Sequence, residues 1–218
     1  MEDPEGERQR EFLARKADDR RSRDYRAFVG PTAVYDQVGA MQFNLLTSLG
    51  LREHHFLLDI GCGSLRAGRL FIPYLLPGHY FGIEPESWLV EEGIRHELGE
   101  DIRRVKRPVF SHDAEFKLSA FDREFDFLVA QSIFSHAPQR QIARCLAEAR
   151  KVMTPSSALA ATFVPGDEDY DGEEWTWCAT YTRDRLAVLA EEAGLACDPI
   201  DWPHPTSQLW VALRARES

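Results

Sequence analysis

Four short stretches of the 218-residue chain hold residues whose types and spacing could do chemistry. The first is "LLDIGCG", residues 57–63. An apolar run ends in Asp59 and then meets Gly61, Cys62 and Gly63. Glycines there let the backbone turn sharply and approach a ligand with no Cβ in the way. A dinucleotide fingerprint needs a third glycine at the sixth position of G-x-G-x-x-G. That position is Arg66, which disfavours a nicotinamide or flavin nucleotide. No G-K-[ST] follows, so a P-loop is excluded. The second stretch is "YFGIEP", where Glu84 could accept hydrogen bonds from two vicinal ribose hydroxyls. The third is "SIFSHAP", with His136 as a candidate general base, because an unperturbed imidazole titrates at ~6.5. The fourth is "PGDEDYDGEEWTWC", residues 165–178. Asp167, Asp169, Asp171 and Gly172 open like a calcium loop, but the twelfth position is Cys178 where glutamate is needed. It reads as an exposed acidic loop carrying aromatics.

These stretches need elements to position them. Val34, Val38, Met41, Leu45 and Leu49 recur at helical spacing and predict one buried helix face, ended by Gly50. Strands are predicted at "FLLDI", "HYFGIE", "VKRPVFSH", "FDFLVAQS", "ALAATFV" and "SQLWVALRA". Helices are predicted at "SLRAGRLFIPYLL", at "PESWLVEEGIRHEL" with Pro85 in its first turn, and at "PQRQIARCLAEARKVM". A last one, "TRDRLAVLAEEAGL", has Thr182 as cap and Gly194 as stop. Strand–helix alternation implies a mainly parallel sheet covered on both faces, with chemistry in the loops at the carboxyl ends of the strands.

Composition narrows the class. The net charge is −10, hydrophobic residues make up 44% and charged residues 28%. An acidic chain lacks the broad attraction for phosphate backbones of nucleic-acid binders, and for anionic membranes. Cys62, Cys145, Cys178 and Cys197 form no C-x-x-C pair, and the histidines are scattered, so no metal site is expected. The charged N-terminus has no apolar core of a signal peptide, and no stretch reaches the length of a membrane span. The expectation is a cytoplasmic protein, monomer or homodimer. Residues 1–33 alternate acids and arginines and read as a helical arm or lid, solvated or ordering over a ligand; residues 34–218 read as the main domain.

"LLDIGCG", "FGIEP", His112-Asp113-Ala114 after the third strand, and "FDFLVAQSIFSH" before "ARKVMTPSSALAATF" together resemble class I S-adenosylmethionine-dependent methyltransferases. The resemblance spans about residues 35–213. It implies a three-layer α/β/α Rossmann-like fold, with a mostly parallel seven-stranded sheet and an antiparallel C-terminal strand. It implies S-adenosylmethionine as cofactor and S-adenosylhomocysteine as product. Matched by position, Asp59, Gly61, Cys62 and Gly63 would lie at the methionine moiety, and Glu84 with Pro85 at the ribose. Asp113 with Ala114 would meet the adenine, and Gln131 with Ser132 would border the methyl-donor centre. His136 would be the catalytic base. Tyr170, Trp175, Trp177 and Tyr181 would line an acceptor site suited to an apolar body with a cationic or hydroxylated part. The tetrapeptide after the fourth strand reads "QSIF", unlike the N-P-P-Y type of amino-methylating enzymes. A small-molecule acceptor methylated on oxygen or nitrogen is therefore expected. The alternatives are a non-catalytic cofactor-binding or regulatory protein, a protein-directed methyltransferase and a nucleotide-dependent oxidoreductase.

Overall fold

The computed structural model describes residues 4–216. The first three residues of the expected arm lie outside that range. The arm contributes α1 (Pro4–Ser22) and α2 (Tyr25–Phe28); α3 (Tyr35–Ser48) follows. Then come β1 (Leu57–Ile60), α4 (Gly68–Tyr74), β2 (Tyr80–Ile83) and α5 (Ser87–Gly93), which runs on as a π-turn over Ile94–Leu98. α6 (Ile102–Val105), β3 (Val109–Ser111), β4 (Phe125–Ala130) and α7 (Gln139–Lys151) come next. The chain ends with β5 (Met153–Pro165), β6 (Thr180–Tyr181), α8 (Arg183–Glu192), β7 (Leu195–Ile200) and β8 (Leu209–Ala215).

The sheet runs β3-β2-β1-β4-β5-β8-β7, with the short β6 beside β5. β1 is parallel to β2 and β4, β4 to β5, and β8 is antiparallel to both β5 and β7. The strand order reverses beside β1, so the loops after β1 and β4 flank the topological switch point, where open α/β sheets bind ligands. Successive strand residues face opposite sides. Leu58, Ile60, Leu128, Ala130, Leu159 and Ala161 pack with Ile142, Leu146 and Leu186 of α7 and α8. Leu57, Val129, Ala160 and Trp210 pack with Leu45, Leu46, Phe71 and Ile72 of α3 and α4. Both faces are covered, as a parallel sheet requires.

Several element ends differ from the sequence expectation. The helix expected from Ser64 starts only at Gly68, because Gly61, Gly63 and Leu65 have φ of +72°, +53° and +61°. Three left-handed residues in five cannot be helical. Pro85 lies in the loop before α5, outside the first turn expected for it. β7 follows Gly194 directly in a strand with little apolar alternation, exposed at Asp198 and Pro199, and was not expected at that place. The cap on α8 is as expected: Thr182 Oγ1 accepts from Arg185 N at 3.1 Å. Asp169, one of the calcium-like acids, accepts from Thr182 N at 2.7 Å and from its hydroxyl at 2.9 Å.

Leu146→Ala removes a fully buried side chain between α7 and the sheet, and such truncations cost about 2–5 kcal/mol. Urea denaturation should show that loss, whereas Val188→Ala on the exposed side of α8 should move stability by no more than about 0.5 kcal/mol.

Candidate active site

The expected loops after β1, β2, β3 and β4 converge. Gly61 N and Cys62 N both donate to the carbonyl of Ile83, at 2.8 and 3.1 Å, pinning the glycine turn to the end of β2. Glu84 completes the junction. One carboxylate oxygen accepts from Gly63 N at 3.1 Å and the other from Glu86 N at 2.9 Å. His112 Nδ1 donates to the Glu84 carbonyl at 2.8 Å, which draws in the loop after β3. A Cβ on Gly61 would lie 2.1 Å from Ile133 Cδ1, and one on Gly63 would lie 2.8 Å from Val29 Cγ1. With positive φ as well, both positions demand glycine.

Asp59 is buried beneath this turn and accepts from the Tyr80 hydroxyl at 2.7 Å. Burial drives its pKa up to about 7, against the opposing Tyr80 bond and the charge of Arg66. Burial likewise raises Glu84, against its two backbone donors. Cys62 is buried, and its thiol is pushed well above the ordinary range by desolvation and by Asp59 and Glu84, so it is a packing residue and no nucleophile.

Asp113 is half-buried. One of its oxygens accepts from Glu115 N at 2.8 Å and Lys117 N at 2.9 Å, so that oxygen shapes its own loop. Ala114 beside it is exposed. Ser132 sits at φ +59° just after β4, held by a bond from its N–H to Thr162 Oγ1 at 2.8 Å. The Gln208 amide donates to Ser132 Oγ at 2.8 Å, and Thr162 donates to Gln208 Oε1 at 2.7 Å. This closed ring fixes the loop carrying Gln131 and Ile133.

Gln131 leads to residues that the sequence reading missed. Its amide donates to His204 Nε2 at 3.0 Å, and its carbonyl accepts from Arg66. Arg66 also donates to the Val29 carbonyl at 3.0 Å. It is half-buried, and desolvation lowers its pKa to about 10, so it stays cationic at neutral pH. Among the described residues it makes no ion pair. Val29, Gln42, Asp59, Gly61, Gly63, Arg66 and Gln131 line a cleft of about 30 Å³.

His136 begins the second half of the site. Its Nδ1 lies 2.9 Å from the Thr176 carbonyl. A carbonyl only accepts, so Nδ1 carries the proton and Nε2 keeps the lone pair. Burial lowers its pKa below the usual value, and the imidazole is neutral at pH 7. The aromatic loop splits. Trp177 lies beside His136's partner, and its indole N–H is buried with no hydrogen-bond acceptor among the described residues. Trp175 is exposed and tilts against Phe116 at 6.3 Å. Tyr170 donates to the Glu174 carbonyl at 2.8 Å. Tyr181 is fully buried in the core and donates to the Ala137 carbonyl at 2.7 Å. Packing claims it, so it does not line an open pocket.

The arm roofs this ground. The inward positions of α1 are Gln9, Phe12, Lys16 and Asp19, at helical spacing. Gln9 Oε1 accepts from Trp177 N at 2.8 Å and Thr176 Oγ1 at 3.1 Å, and its amide donates to the Trp175 carbonyl at 3.0 Å. Phe12 stacks on His136 at 5.7 Å. At the other end Arg20 pairs with Glu86 and Arg23 with Glu92. Arg26 and Arg69 converge on Glu97 at 2.6 and 3.2 Å.

With this geometry in view, the relatives are informative. Residues 58–159 match the protein-family model of a methyltransferase domain. The matched stretch, just under half of the chain, holds the glycine turn, Glu84, Gln131 and His136; the match supports an enzyme of the methyltransferase class, and the sheet order a Rossmann-like fold. Among solved structures, magnesium protoporphyrin IX methyltransferase from Synechocystis PCC 6803, solved with bound S-adenosylmethionine, is similar in fold. It has a TM-score of 0.69 at 12% identity, over 94% of this chain and 96% of that one. DhpI, solved with S-adenosylhomocysteine, gives 0.66 at 16%, over 97% of each chain. The mitomycin 7-O-methyltransferase MmcR gives 0.66 at 15%, over 94% of this chain and 60% of that one. Among the described residues no helix is long and apolar enough to cross a membrane.

Asp59 supplies a testable pH dependence. Its folded pKa lies above the unfolded value of 3.8, so between about pH 4 and 7 the folded state holds a proton that the unfolded state has lost. Stability therefore falls as pH rises through that window. Asp59→Asn keeps an acceptor for Tyr80 and removes this cost. Urea midpoints should show the variant gaining on wild type between pH 5 and pH 8; parallel pH profiles would refute the assignment.

Proposed function

We propose that the protein transfers the methyl group of S-adenosylmethionine to an oxygen or nitrogen of a small-molecule acceptor. The observation that carries this reading is the Glu84 carboxylate, buried and held between the Gly63 and Glu86 amides beside a positive-φ glycine turn. A carboxylate so fixed suits two vicinal hydroxyls, and the turn brings backbone rather than side chains to the ligand. The residues fit this cofactor in charge as well. Arg66, a half-buried cation whose hydrogen-bond partners are two neutral acceptors, suits the carboxylate of an amino-acid tail. No phosphate group is called for, in keeping with the missing third glycine.

S-adenosylmethionine, when bound, supplies a methyl group on a positively charged sulfur and leaves as S-adenosylhomocysteine. The chain's own residues do the rest. Glu84, Arg66 and the glycine turn bind and orient; Asp113, Ala114 and Pro85 border the nucleoside; Gln131 and Ser132 hold the loop after β4. Gln9 and Phe12 exclude water by closing the aromatic loop over the site, which helps an in-line displacement. His136 Nε2 holds the lone pair that would take the acceptor's proton. The cleft as it stands is far below the ~300 Å³ usual for a ligand of this size, so binding calls for its wall at Val29 to open. A site that encloses its acceptor under a helix favours a metabolite-sized molecule over a polymer, and the chain's acidity agrees. The small-molecule methyltransferases among the fold relatives agree too. The same acidity disfavours nucleic acid and anionic membrane surfaces as partners.

Calorimetry with S-adenosylhomocysteine tests the binding half. Glu84→Ala should weaken it at least about tenfold, a loss of about 1.4 kcal/mol; unchanged affinity would refute the site. His136→Ala should lower turnover about a hundredfold, within the usual range for a general base, with cofactor affinity kept. A normal rate would remove it as the base. Tight binding with no methyl transfer to any acceptor would favour a non-catalytic role.

A further inference from the structure

The inner face of α1 is chemically unusual. A helix that packs on a domain usually turns an apolar stripe inward. α1 buries no residue and presents Gln9, Phe12, Lys16 and Asp19 to the body. Gln9 and Phe12 are accounted for by the aromatic loop and His136. Lys16 is not. Its ammonium donates to the Phe28 carbonyl and lies 4.2 Å from the Phe28 ring and 5.4 Å from the Phe12 ring. Among the described ion pairs none involves Lys16. Glu84 and Asp19 act on it through space, opposed by Arg15 and Arg66. Its pKa is pulled down to about 8 by burial first and Arg15 second, so at neutral pH most of it is still charged. A half-buried cation whose direct partners are a carbonyl and two ring faces, with no ion pair among the described residues, is poorly compensated. The indole N–H of Trp177, buried without an acceptor, adds a second unsatisfied donor on the loop that α1 covers.

We propose that Lys16 is a specificity residue that recognises a carboxylate or similar oxyanion on the methyl acceptor. The proposal rests on the methyl-transfer reading above and adds the acceptor's charge. It reverses the charge expected from the acidic loop. Asp167, Glu168, Asp171, Glu173 and Glu174 are all exposed and Asp169 holds the cap residue Thr182, so those acids do not form the pocket. Phe12, stacked on His136 and within reach of Lys16, supplies a ring face for the acceptor's apolar body. The acceptor class is thus a small, partly apolar acid bearing a separate nucleophile, its proton going to His136 Nε2.

The same oxyanion chemistry could come from the cofactor's amino-acid tail, and the test separates the two. S-adenosylhomocysteine is titrated into wild type, Lys16→Gln and Lys16→Arg by calorimetry. The loaded proteins are then titrated with 4-hydroxybenzoate and with the neutral 4-hydroxybenzamide, followed by ligand-observed NMR. The expected result is equal S-adenosylhomocysteine affinity in all three proteins and a preference of at least about tenfold for the acid in wild type. Lys16→Gln should lose that preference and Lys16→Arg should retain it. Weaker cofactor binding in Lys16→Gln would assign Lys16 to the cofactor tail and overturn the proposal. So would the absence of an acid preference in wild type, or its persistence in Lys16→Gln. Failure of wild type to bind S-adenosylhomocysteine at all would instead overturn the methyl-transfer reading on which the proposal stands. A folded far-UV spectrum and an unchanged melting temperature for each variant exclude a structural cause.

Discussion

The bond from the Gly63 amide to the Glu84 carboxylate joins the loops after β1 and β2, and the rest of the site is arranged around it. It requires a left-handed glycine turn, since only that conformation aims the Gly63 N–H at the next strand's end. It requires β1 and β2 to be parallel and in register, which brings Ile60 opposite Ile83 and sets Glu84 one residue beyond. The two backbone donors favour the ionised form of Glu84, and desolvation opposes it. Hydroxyl donors from a ligand would shift that balance toward the carboxylate, so binding and ionisation reinforce each other.

Charge is the second organising feature. The chain is acidic overall, yet two half-buried cations, Arg66 in the cleft wall and Lys16 under the arm, make no ion pair among the described residues. Most of the acids are elsewhere. Glu92 and Glu97 are spent on arginines that anchor the arm, and those of residues 167–174 are solvated or capping. A net charge of −10 therefore says little about the local potential in the cleft. The anchoring pairs at the base of the arm are dense, whereas α1 itself is held mainly by Gln9 and by ring contacts. A roof fixed at one end and lightly held at the other can open without disturbing the domain beneath it.

Arg66 illustrates how a residue can be read correctly and incompletely. In sequence it marks the absence of a third glycine and so removes the dinucleotides. In the structure the same side chain bends back between Val29 and Gln131 to line the cleft. Local sequence carries no sign of that, because its partners are 37 and 65 residues away. Gln9, Lys16, His204 and Gln208 escaped notice for the same reason: each is a polar residue in a polar context, and only the fold supplies its partner. Tyr181 failed in the opposite sense. Its proximity to Trp175 and Trp177 in sequence suggested a shared pocket, but β6 turns it into the core, where its hydroxyl finds Ala137.

The sequence by itself determined the alternation of strands and helices, the parallel sheet and its central strands, the cap at Thr182, and the glycine turn with Asp59 and Glu84. These depend on short-range rules: apolar period, turn chemistry and the spacing of a motif along one chain segment. The tertiary structure decided the rest. It placed β7 at the sheet edge, delayed α4 through three left-handed residues, and laid α1 across the site with a lysine facing inward. Such features arise from contacts between segments tens to more than a hundred residues apart. A charged helix with no apolar stripe gives no advance notice of which face it will bury, because only the opposing surface defines what that face must satisfy.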